Sequence, residues 1–460
     1  MSADSTLQER SAFMFGCHLG KLFQVTVSGG SYQEALSAVV HGVTPGIAVT
    51  EQDIYGDLLL RKPGADELSS PRKEPDLPVI ITGLNVADTV PGAGNTNHTN
   101  GTPLTIVIPN LDRHDIHIQQ YQDTNRTPRP GHASYASFQK YGPSDDAIGA
   151  GFFSGRYSAT IVAAGCIAKS ILQTCGIRIA SFVREIAGVR CGDIDYAALM
   201  HHSENYRRMR RDYDPFYQEI YVKQRITMGM RFLQKAAVLA EVEAEIDAIR
   251  QRAPKMVKEA ILDTYGVHPV VLCPDIEAAD AMVDACTTIY EEGDTAGGLI
   301  ELVIQGAPVG LGEPVFEKLD GELARMMGIG AVKGVEIGAG FGVKDMTGYE
   351  CNDRMRGENG AVVFDSNNAG GITGGLATGQ DIIVRLAVKP TPTIDKKQHT
   401  IDKYTLQTTE LSAITRRDPT ITNRIWPVAE AYAAIVLLDQ LTAHYGYQSL
   451  RAIVDKSNQR

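Results

Sequence analysis

Apolar and polar positions along the chain follow two periods, each confined to short segments. Segments rich in β-branched residues and bounded by turn residues predict strands at residues 21–27, 79–83, 104–109, 299–305, 333–338 and 381–388. Apolar residues spaced three or four apart predict helices at residues 157–173, 277–291 and 428–441. Strands and helices are mixed without strict alternation, which favours an α+β layered fold over a doubly wound sheet.

Two prolines are predicted to mark helix starts. Pro427 precedes the apolar run of the last helix, and Pro314 ends the loop at residues 310–314. Proline is tolerated in the first turn of a helix, because the amide hydrogen it lacks has no partner there. Both residues are therefore expected at a first helical turn.

Residues 201–268 differ in composition from the rest of the chain, being rich in Arg, Lys, Glu and Ala. They predict two or three amphipathic helices facing solvent, one of them ending at Pro254. The arginine-rich segment at residues 207–211 is either a solvated helix face, the commoner outcome, or a patch that binds an anion. We expect a single domain over residues 1–460 with this helical stretch as an insertion.

The amino-acid composition argues against several classes of protein. Of 460 residues, 43% are hydrophobic and 22% charged, so a large core is expected and whole-chain disorder is excluded. The net charge of −11 argues against a nucleic-acid partner. Neither a signal peptide nor a run of about 18 apolar residues is visible, so we expect no membrane partner and a cytoplasmic protein. The seven cysteines form no CxxC pair, so neither a disulfide framework nor a zinc site is expected.

Three segments carry candidate chemistry. The glycine pairs of SNNAGGITGGLATGQ, residues 366–380, can turn backbone N–H groups toward a phosphate or flavin, or can simply form tight turns. His132 follows Arg129 in a proline-fixed turn, and its charge would change near neutral pH; a structural role is the alternative. Asp418 follows two arginines that favour its charged form, although an Asp-Pro pair also starts turns.

Taken in order, many segments resemble the chorismate synthase family. The resemblance covers nearly all of the chain except the N-terminal tail, residues 90–101 and residues 201–268. It is carried by LGKLFQVTVSG, GVTPGIAVTEQDI, RKPG, KEPD, RPGHASYASFQKYG, CPDIEAADAMVD, EEGD, GAPVGLGEPVFEKLDGELA, AVKGVEIG, SNNAGGITGGLATGQ, KPTPTI, RRDPT and PVAEAYAAIVLLDQL.

The resemblance implies a fold and a reaction. The fold is an α+β sandwich of two antiparallel sheets flanked by helices, assembled as a homotetramer. The enzyme is a lyase of the shikimate pathway, which leads to aromatic amino acids. It binds reduced FMN and converts 5-enolpyruvylshikimate 3-phosphate to chorismate by a 1,4-anti elimination of phosphate. NADPH would reduce the flavin, directly or through a separate reductase.

The resemblance also implies roles for single residues, and no metal site. His132 corresponds to the histidine that protonates the reduced flavin, and Asp418 to the acid that acts with flavin N5 on the C6 proton. The positions that would hold FMN are Ser154, Gly330, Ala331, Gly374, Lys389, Pro390, Thr391, Pro392, Thr393 and Arg416. The positions that would bind the anionic substrate are Arg61, Arg129 and Arg156.

The chain departs from the family at charged positions. Tyr32 stands where the family has the catalytic histidine thought to protonate the leaving phosphate; a phenol cannot become a cation, but it can still donate a hydrogen bond there. Phe152 and Glu67 replace arginines, and Tyr157 replaces a glutamate. Three interpretations therefore stay open: a divergent chorismate synthase, a paralogue that uses reduced flavin on a less charged cyclohexene carboxylate, and a non-catalytic flavin-binding or assembly subunit.

Overall fold

A computed structural model describes residues 16–64, 66–69, 74–88, 91–92, 94–111, 118–119, 125–219, 239–411 and 417–458. The strands are β1 His18–Leu19, β2 Gln24–Gly29, β3 Ala35–His41, β4 Val79–Thr82, β5 Leu104–Pro109, β6 Arg178–Ile186, β7 Val189–Arg190, β8 Gly298–Gln305, β9 Val332–Ile337, β10 Met355–Glu358, β11 Ala361–Phe364, β12 Ile372–Thr373, β13 Leu376–Ala377, β14 Ile382–Val388, β15 Gln398–Ile401 and β16 Thr408–Leu411.

The described α-helices are α1 Glu51–Arg61, α2 Ser134–Tyr141, α3 Ser158–Thr174, α4 Tyr196–Tyr213, α5 Pro215–Glu219, α6 Leu239–Arg250, α7 Lys258–Tyr265, α8 Ile276–Glu291, α9 Leu319–Ala324, α10 Gly348–Cys351 and α11 Thr422–Asn458. Short 3₁₀ turns lie at Gly142–Ser144, Ile148–Phe153, Gly155–Tyr157, Arg325–Gly328 and Gly340–Asp345.

Two antiparallel five-stranded sheets form the framework, which confirms the α+β class. The first sheet has the order β1-β2-β3-β5-β4, and the second has the order β7-β6-β8-β14-β9. In β3 alternate residues are buried, and Leu36 lies opposite Ile108 of β5. This alternation means that one face of the first sheet packs on the core, because successive side chains point to opposite faces.

Two helices fill the space between the sheets. Helix α3 packs on β3 and β5 of the first sheet, α11 packs on β6 and β8 of the second, and the two helices contact each other. At their contact a Cβ on Gly165 would fall 2.3 Å from the Cβ of Ala431, so only glycine permits this approach. The order of layers is therefore sheet, helix, helix, sheet.

The predicted elements are confirmed with small shifts at their ends, and two expectations about proline are wrong. The last helix begins at Thr422, so Pro427 lies inside it rather than in its first turn. The amide hydrogen that Pro427 lacks would otherwise bond to the carbonyl of Asn423, and packing of the apolar helix outweighs that loss. Pro314 lies in a loop, and helix α9 begins only at Leu319.

The sequence suggested that the helices of residues 201–268 face solvent, but part of this stretch is buried. Arg207 of α4 is buried, where it pairs with Asp57 of α1 and Glu430 of α11. Arg210 is also buried and lies 3.5 Å from the carboxylate of Asp66. Both arginines therefore anchor α4 to the core, since a buried cation needs a nearby carboxylate. The description of residues 201–268 as an insertion in one domain stays a prediction.

Two further findings bear on earlier expectations. No described helix is long and apolar enough to cross a membrane. All seven cysteines are free thiols, and three of them, Cys191, Cys273 and Cys286, are buried.

Candidate active site

A cavity of about 450 Å³ opens where loops from both sheets meet. Its wall comes from the turn after β2, the C-terminal end of α1, the loops on either side of α2, and the segments before β9 and α11. Because these segments are far apart in sequence, only the fold brings them together. Its lining includes Ser31, Tyr32, Arg61, Pro63, Arg129, Gly131, His132, Ala150, Phe153, Ser154, Arg156, Tyr157, Ile329, Gly330, Ala331, Lys389, Thr391, Pro392, Thr393, Arg417, Asp418, Ile421, Arg424 and Ile425.

His132 lies in the turn before α2, between two cationic side chains. Its Nδ1 accepts the N–H of Ser134 at 3.2 Å, which orients the ring. The Nζ of Lys389 donates to the carbonyl of Gly131 at 2.6 Å and so fixes the same turn. Burial, followed by the charges of Arg129 and Lys389, lowers the pKa of His132 to about 4. The imidazole is therefore neutral at pH 7.

Asp418 faces the cavity just before α11. Its Oδ1 accepts a hydrogen bond from Nη2 of Arg424 at 2.5 Å. Thr391 donates its hydroxyl to the backbone carbonyl of Asp418 at 3.3 Å, which ties the segment after β14 to the start of α11. The carboxylate is thus oriented by a guanidinium in the first turn of the helix.

Two of the cavity's arginines already share buried carboxylates. Nη1 of Arg61 donates to Oδ2 of Asp76 at 2.8 Å, and Arg156 pairs with the other oxygen of Asp76. Glu74 lies 3.6 Å from Arg156, and Asn110 accepts from its Nε at 2.9 Å. Burial raises the pKa of Asp76, but Arg156 and Arg61 outweigh it and lower that pKa below its usual range. Much of the positive charge of these arginines is therefore offset inside the protein.

Arg129 and Lys389 each donate a hydrogen bond to an uncharged oxygen. Nη1 of Arg129 donates to the hydroxyl of Thr393 at 3.2 Å, and Lys389 donates to a carbonyl, as described above. Burial and the nearby charge of Lys333 lower the pKa of Lys389. An anion in the cavity would relieve this repulsion, so these two cations are its expected partners.

Tyr157 closes one side of the cavity and was not predicted as a site residue. Its hydroxyl accepts the N–H of Gly330 at 3.1 Å and donates to the carbonyl of Gly328 at 3.3 Å. Its ring stacks on Phe152, with centroids 5.6 Å apart. Burial raises the pKa of Tyr157. The two aromatic departures from the family pattern thus form one unit that holds the segment before β9.

Tyr32 is buried in the turn after β2, with its ring against the loop before α3. A Cβ on Gly149 would fall 2.3 Å from this ring, and Gly149 adopts a φ of +58°. Glycine is therefore required at that position both by space and by conformation. The ring lines the cavity where the family has its histidine, so the wall there is an uncharged phenol.

The structure brings most of the predicted site residues to the cavity, but not all. Gly374 does not line it: Gly374 and Gly375 form the two-residue turn between β12 and β13, with φ of +65° and +93°. Both positive values are typical of a type I′ hairpin turn, so this glycine pair is a plain turn. Pro390 is absent from the lining as well. Arg416 lies outside the described residues; its neighbour Arg417 lines the cavity.

Ser154 lines the cavity, but its hydroxyl also has a local partner. It accepts the N–H of Arg156 at 3.2 Å and so caps the short turn that follows. The residues that sequence reasoning missed are Glu74 and Asp76, which lie in the KEPD segment, together with Tyr157 and Arg424. The sequence could have indicated Glu74 and Asp76, because two acidic residues lie close together in a segment that matches the family, and buried carboxylates need charged partners.

Comparison with known proteins gives consistent results. The family model described as chorismate synthase matches residues 23–442. A chorismate synthase of Acetivibrio thermocellus is 36% identical, over 96% of this chain and 98% of its own length. One of Methanosarcina acetivorans is also 36% identical, over 93% of this chain and 96% of its own length. A crystal structure titled as chorismate synthase has a TM-score of 0.60 at 22% identity, covering 96% of this chain and 99% of that one, which supports the fold.

Proposed function

This chain belongs to the chorismate synthase family, a family of lyases in the shikimate pathway, and we propose that it is itself a working chorismate synthase. It would bind reduced FMN and convert 5-enolpyruvylshikimate 3-phosphate to chorismate and phosphate. That makes it a carbon–oxygen lyase acting on a phosphate, in a pathway to aromatic amino acids.

One observation carries this proposal: His132 and Asp418 line a single cavity together with the cations Arg129 and Lys389. The cavity thus combines two groups that can hold or move a proton with two cations that can bind an anion. A subunit that merely bound flavin or supported assembly would not need the oriented carboxylate of Asp418.

The residues of the cavity fit a flavin. Its volume of about 450 Å³ lies within the range of ligand sites, which is roughly 300–1,000 Å³. Phe153, Ile329 and Ile425 provide apolar surface for a ring system, and Thr391 and Thr393 provide hydroxyls for its polar edge. The reduced flavin, when bound, would supply electron density transiently to the reacting substrate, with no net redox change.

The chain's own residues would then manage charge and protons. Arg129 and Lys389 bind the anionic groups of the substrate, with Arg61 and Arg156 held behind them by Asp76. As the bond between C6 and hydrogen breaks, its electron pair would form one new double bond. The π pair of the ring's existing double bond would shift to the carbon that bears the phosphate, and the phosphate would leave with the electron pair of the carbon–oxygen bond. Asp418, which Arg424 orients, would act with the flavin in taking the proton.

His132 would respond to the ligand. Its pKa of about 4 results from burial and two nearby cations, so the imidazole is neutral before binding. An anion bound to Arg129 and Lys389 would offset those charges and raise this pKa. The imidazole could then hold a proton beside the anionic ligand, which is the role that the family resemblance assigns to it.

A second candidate function rests on Tyr32 and on the buried carboxylates. With a phenol at the phosphate position and with Arg61 and Arg156 paired to Asp76, the cavity is less positive than four cations would make it. A paralogue acting on a less charged cyclohexene carboxylate would need no more positive charge than this cavity has. Comparing turnover of the phosphorylated compound with that of unphosphorylated analogues separates the two functions.

We also propose that the chain works as a homotetramer in the cytoplasm. The region around the β10–β11 hairpin exposes several large apolar side chains, which suits contact with another copy: Phe341, Tyr349, Met355 and Val362. NADPH would supply electrons for the flavin, directly or through a separate flavin reductase. Sedimentation equilibrium tests the assembly.

The decisive experiment is an anaerobic assay with photoreduced FMN and 5-enolpyruvylshikimate 3-phosphate, following phosphate release and chorismate absorbance. We expect turnover of order 1–10³ per second with reduced flavin and none with oxidised flavin. Lys389→Met should raise KM strongly, whereas Lys255→Met, which changes an exposed lysine outside the cavity, should behave as the unmodified protein. Absence of turnover under all these conditions would contradict the proposed function.

A further inference from the structure

A buried lysine lies in the turn of the β15–β16 hairpin, outside the lining of the active-site cavity. Lys403 is only 5% exposed, whereas the next residue, Tyr404, is 61% exposed. Lysine is almost never fully buried unless its ammonium group has partners, so those partners indicate what this residue does. They lie in the segment of residues 125–138, which carries Arg129 and His132.

The turn of the hairpin directs Lys403 toward that segment. Oδ1 of Asp402 accepts the N–H groups of Tyr404 at 2.9 Å and Thr405 at 3.0 Å, which fixes the shape of the turn. The N–H of Lys403 donates to the carbonyl of Arg126 at 3.1 Å, and the guanidinium of Arg126 pairs with Asp402. The hairpin is therefore docked on the start of the segment.

The ammonium group of Lys403 joins the two ends of the same segment. Its Nζ donates to Oδ1 of Asn125 at 2.8 Å, at the start of the segment. It also lies 4.4 Å from the centre of the Phe138 ring in α2, at the end of the segment, and a cation attracts an aromatic face within about 6 Å. One cation thus holds both ends of a segment whose middle carries Arg129 and His132.

A second side chain of the hairpin acts at the middle of the segment. Oγ1 of Thr400, in β15, donates to the carbonyl of Pro128 at 2.6 Å, immediately before Arg129. Within the segment, the N–H of His132 donates to the carbonyl of Arg129 at 3.2 Å. Because that bond keeps these two residues in a fixed relation, the hairpin contacts position both of them together.

We propose that Lys403 is a positioning residue for the side of the cavity that binds the anion. It keeps the segment closed, so that Arg129 and His132 face the substrate without a further ordering step. Only the closed form binds the anion, so the measured affinity falls in proportion to the fraction of closed molecules. This inference rests on the proposed function in one respect, which is that the substrate contacts Arg129.

Hydrogen exchange of the whole protein, read by mass spectrometry, tests the clamp without any ligand. The N–H of Arg129 donates to Oγ of Ser134 at 3.0 Å, so its exchange reports on opening of the segment. In Lys403→Met we expect residues 125–138 to exchange about tenfold faster, because both contacts of the ammonium group are lost. Peptides from β8 should exchange as before, which checks that the fold as a whole is intact.

Three further variants separate the clamp from general effects. Lys403→Arg keeps a cation beside the aromatic ring and should retain most of the protection. Thr400→Val removes the hydrogen bond to Pro128 with little change of shape and should speed exchange severalfold. Gln407→Met places the same new side chain at an exposed position of the same hairpin, and it should exchange as the unmodified protein does.

Affinity for 5-enolpyruvylshikimate 3-phosphate tests the consequence for the cavity. It is measured by calorimetry with oxidised FMN present, so that no turnover occurs. Lys403→Met should raise Kd by the same factor as it speeds exchange, about tenfold, and saturating substrate should restore the protection of residues 125–138. A lysine that merely stabilised the hairpin would speed exchange only in residues 398–411 and would leave the affinity unchanged.

Two results would overturn the proposal. One is unchanged exchange of residues 125–138 in Lys403→Met, and the other is faster exchange there with an unchanged affinity for the substrate. If the unmodified protein binds no substrate, the proposed function fails, while the exchange of residues 125–138 still decides whether Lys403 acts as a clamp.

Discussion

Asp76→Asn is the substitution that best tests how the cavity's charges are organised. Asp76 is fully buried, accepts from Arg61 at 2.8 Å and pairs with Arg156. Its backbone has a φ of +57°, a left-handed conformation that asparagine tolerates as well as aspartate does. The variant therefore removes one negative charge from between two guanidinium groups with little change of shape.

The expected loss of stability follows from burial. Removing one partner of a buried ion pair costs about 3–5 kcal/mol, because the other charge is left uncompensated. Glu74 remains 3.6 Å from Arg156, so we expect the lower end, about 3 kcal/mol. Domains are typically stable by about 5–15 kcal/mol, so the variant should fold but unfold at a lower denaturant concentration.

The pH dependence has a definite sign. The pKa of Asp76 is lowered in the folded protein, so its contribution is present above the unfolded value of about 3.9 and is lost as pH falls through the lower folded value. The deficit of Asp76→Asn should therefore be the same at pH 7 and pH 5, and it should shrink only in more acidic solution.

Urea unfolding followed by circular dichroism measures this effect. The control is Asp263→Asn, because Asp263 lies exposed on α7; the change in its free energy of unfolding should stay below about 0.5 kcal/mol. Inorganic phosphate should stabilise Asp76→Asn more than the unmodified protein, since the variant has lost the carboxylate that the two guanidinium groups share. Equal stability of the two variants would refute the reasoning.

Three further predictions concern the cavity wall. His132→Gln should lower turnover about 10²–10⁴-fold. The pKa of His132 is lowered to about 4 in the folded protein, so its contribution to stability is present above the unfolded value of about 6.5 and is lost as pH falls. Urea unfolding should show a loss of about 1–2 kcal/mol between pH 7 and pH 5. His132→Gln should lack this loss. Tyr157→Phe should remove the hydrogen bond to Gly330, cost about 1 kcal/mol and weaken flavin binding severalfold in anaerobic titration. Tyr32→His should speed phosphate release from the enolpyruvyl substrate in a stopped-flow assay, because an imidazolium can donate a proton to the leaving group.

Each of these three has a contradicting result. Unchanged turnover in His132→Gln would remove its role with protons, and an unchanged pH dependence would contradict its burial as a neutral group. Flavin affinity unaltered in Tyr157→Phe would show that the segment before β9 does not contact the flavin. Slower phosphate release in Tyr32→His, with the protein folded, would favour the paralogue with an unphosphorylated substrate.

Local sequence determined much of the fold. Residues 104–109 were predicted as a strand and form β5, because a run of β-branched residues favours an extended segment without reference to the rest of the chain. Helix α1 was missed, although Thr50 and Asp53 form a capping box at its start. Eight of its eleven residues are buried, so it lacks the polar face by which a surface helix is recognised.

The residues of the site were also largely visible in the sequence. His132, Asp418 and Lys389 lie in segments that match the family in order, and the structure brings all three to one cavity. Gly374 and Pro390 do not line that cavity. Gly374 was misleading because a glycine pair in a tight hairpin turn has the same sequence signature as one that faces a ligand.

What only the tertiary structure decided is which charges and hydroxyls meet. Arg156 reaches Asp76 across 80 residues, and Tyr157 reaches Gly330 across 173. Arg207, which reads as part of a solvated helix, is buried against Glu430 of α11. Periodicity records which face of an element is apolar, because that depends on neighbours within a few residues. The partner of a buried charge depends on how distant segments pack, and no local pattern contains that information.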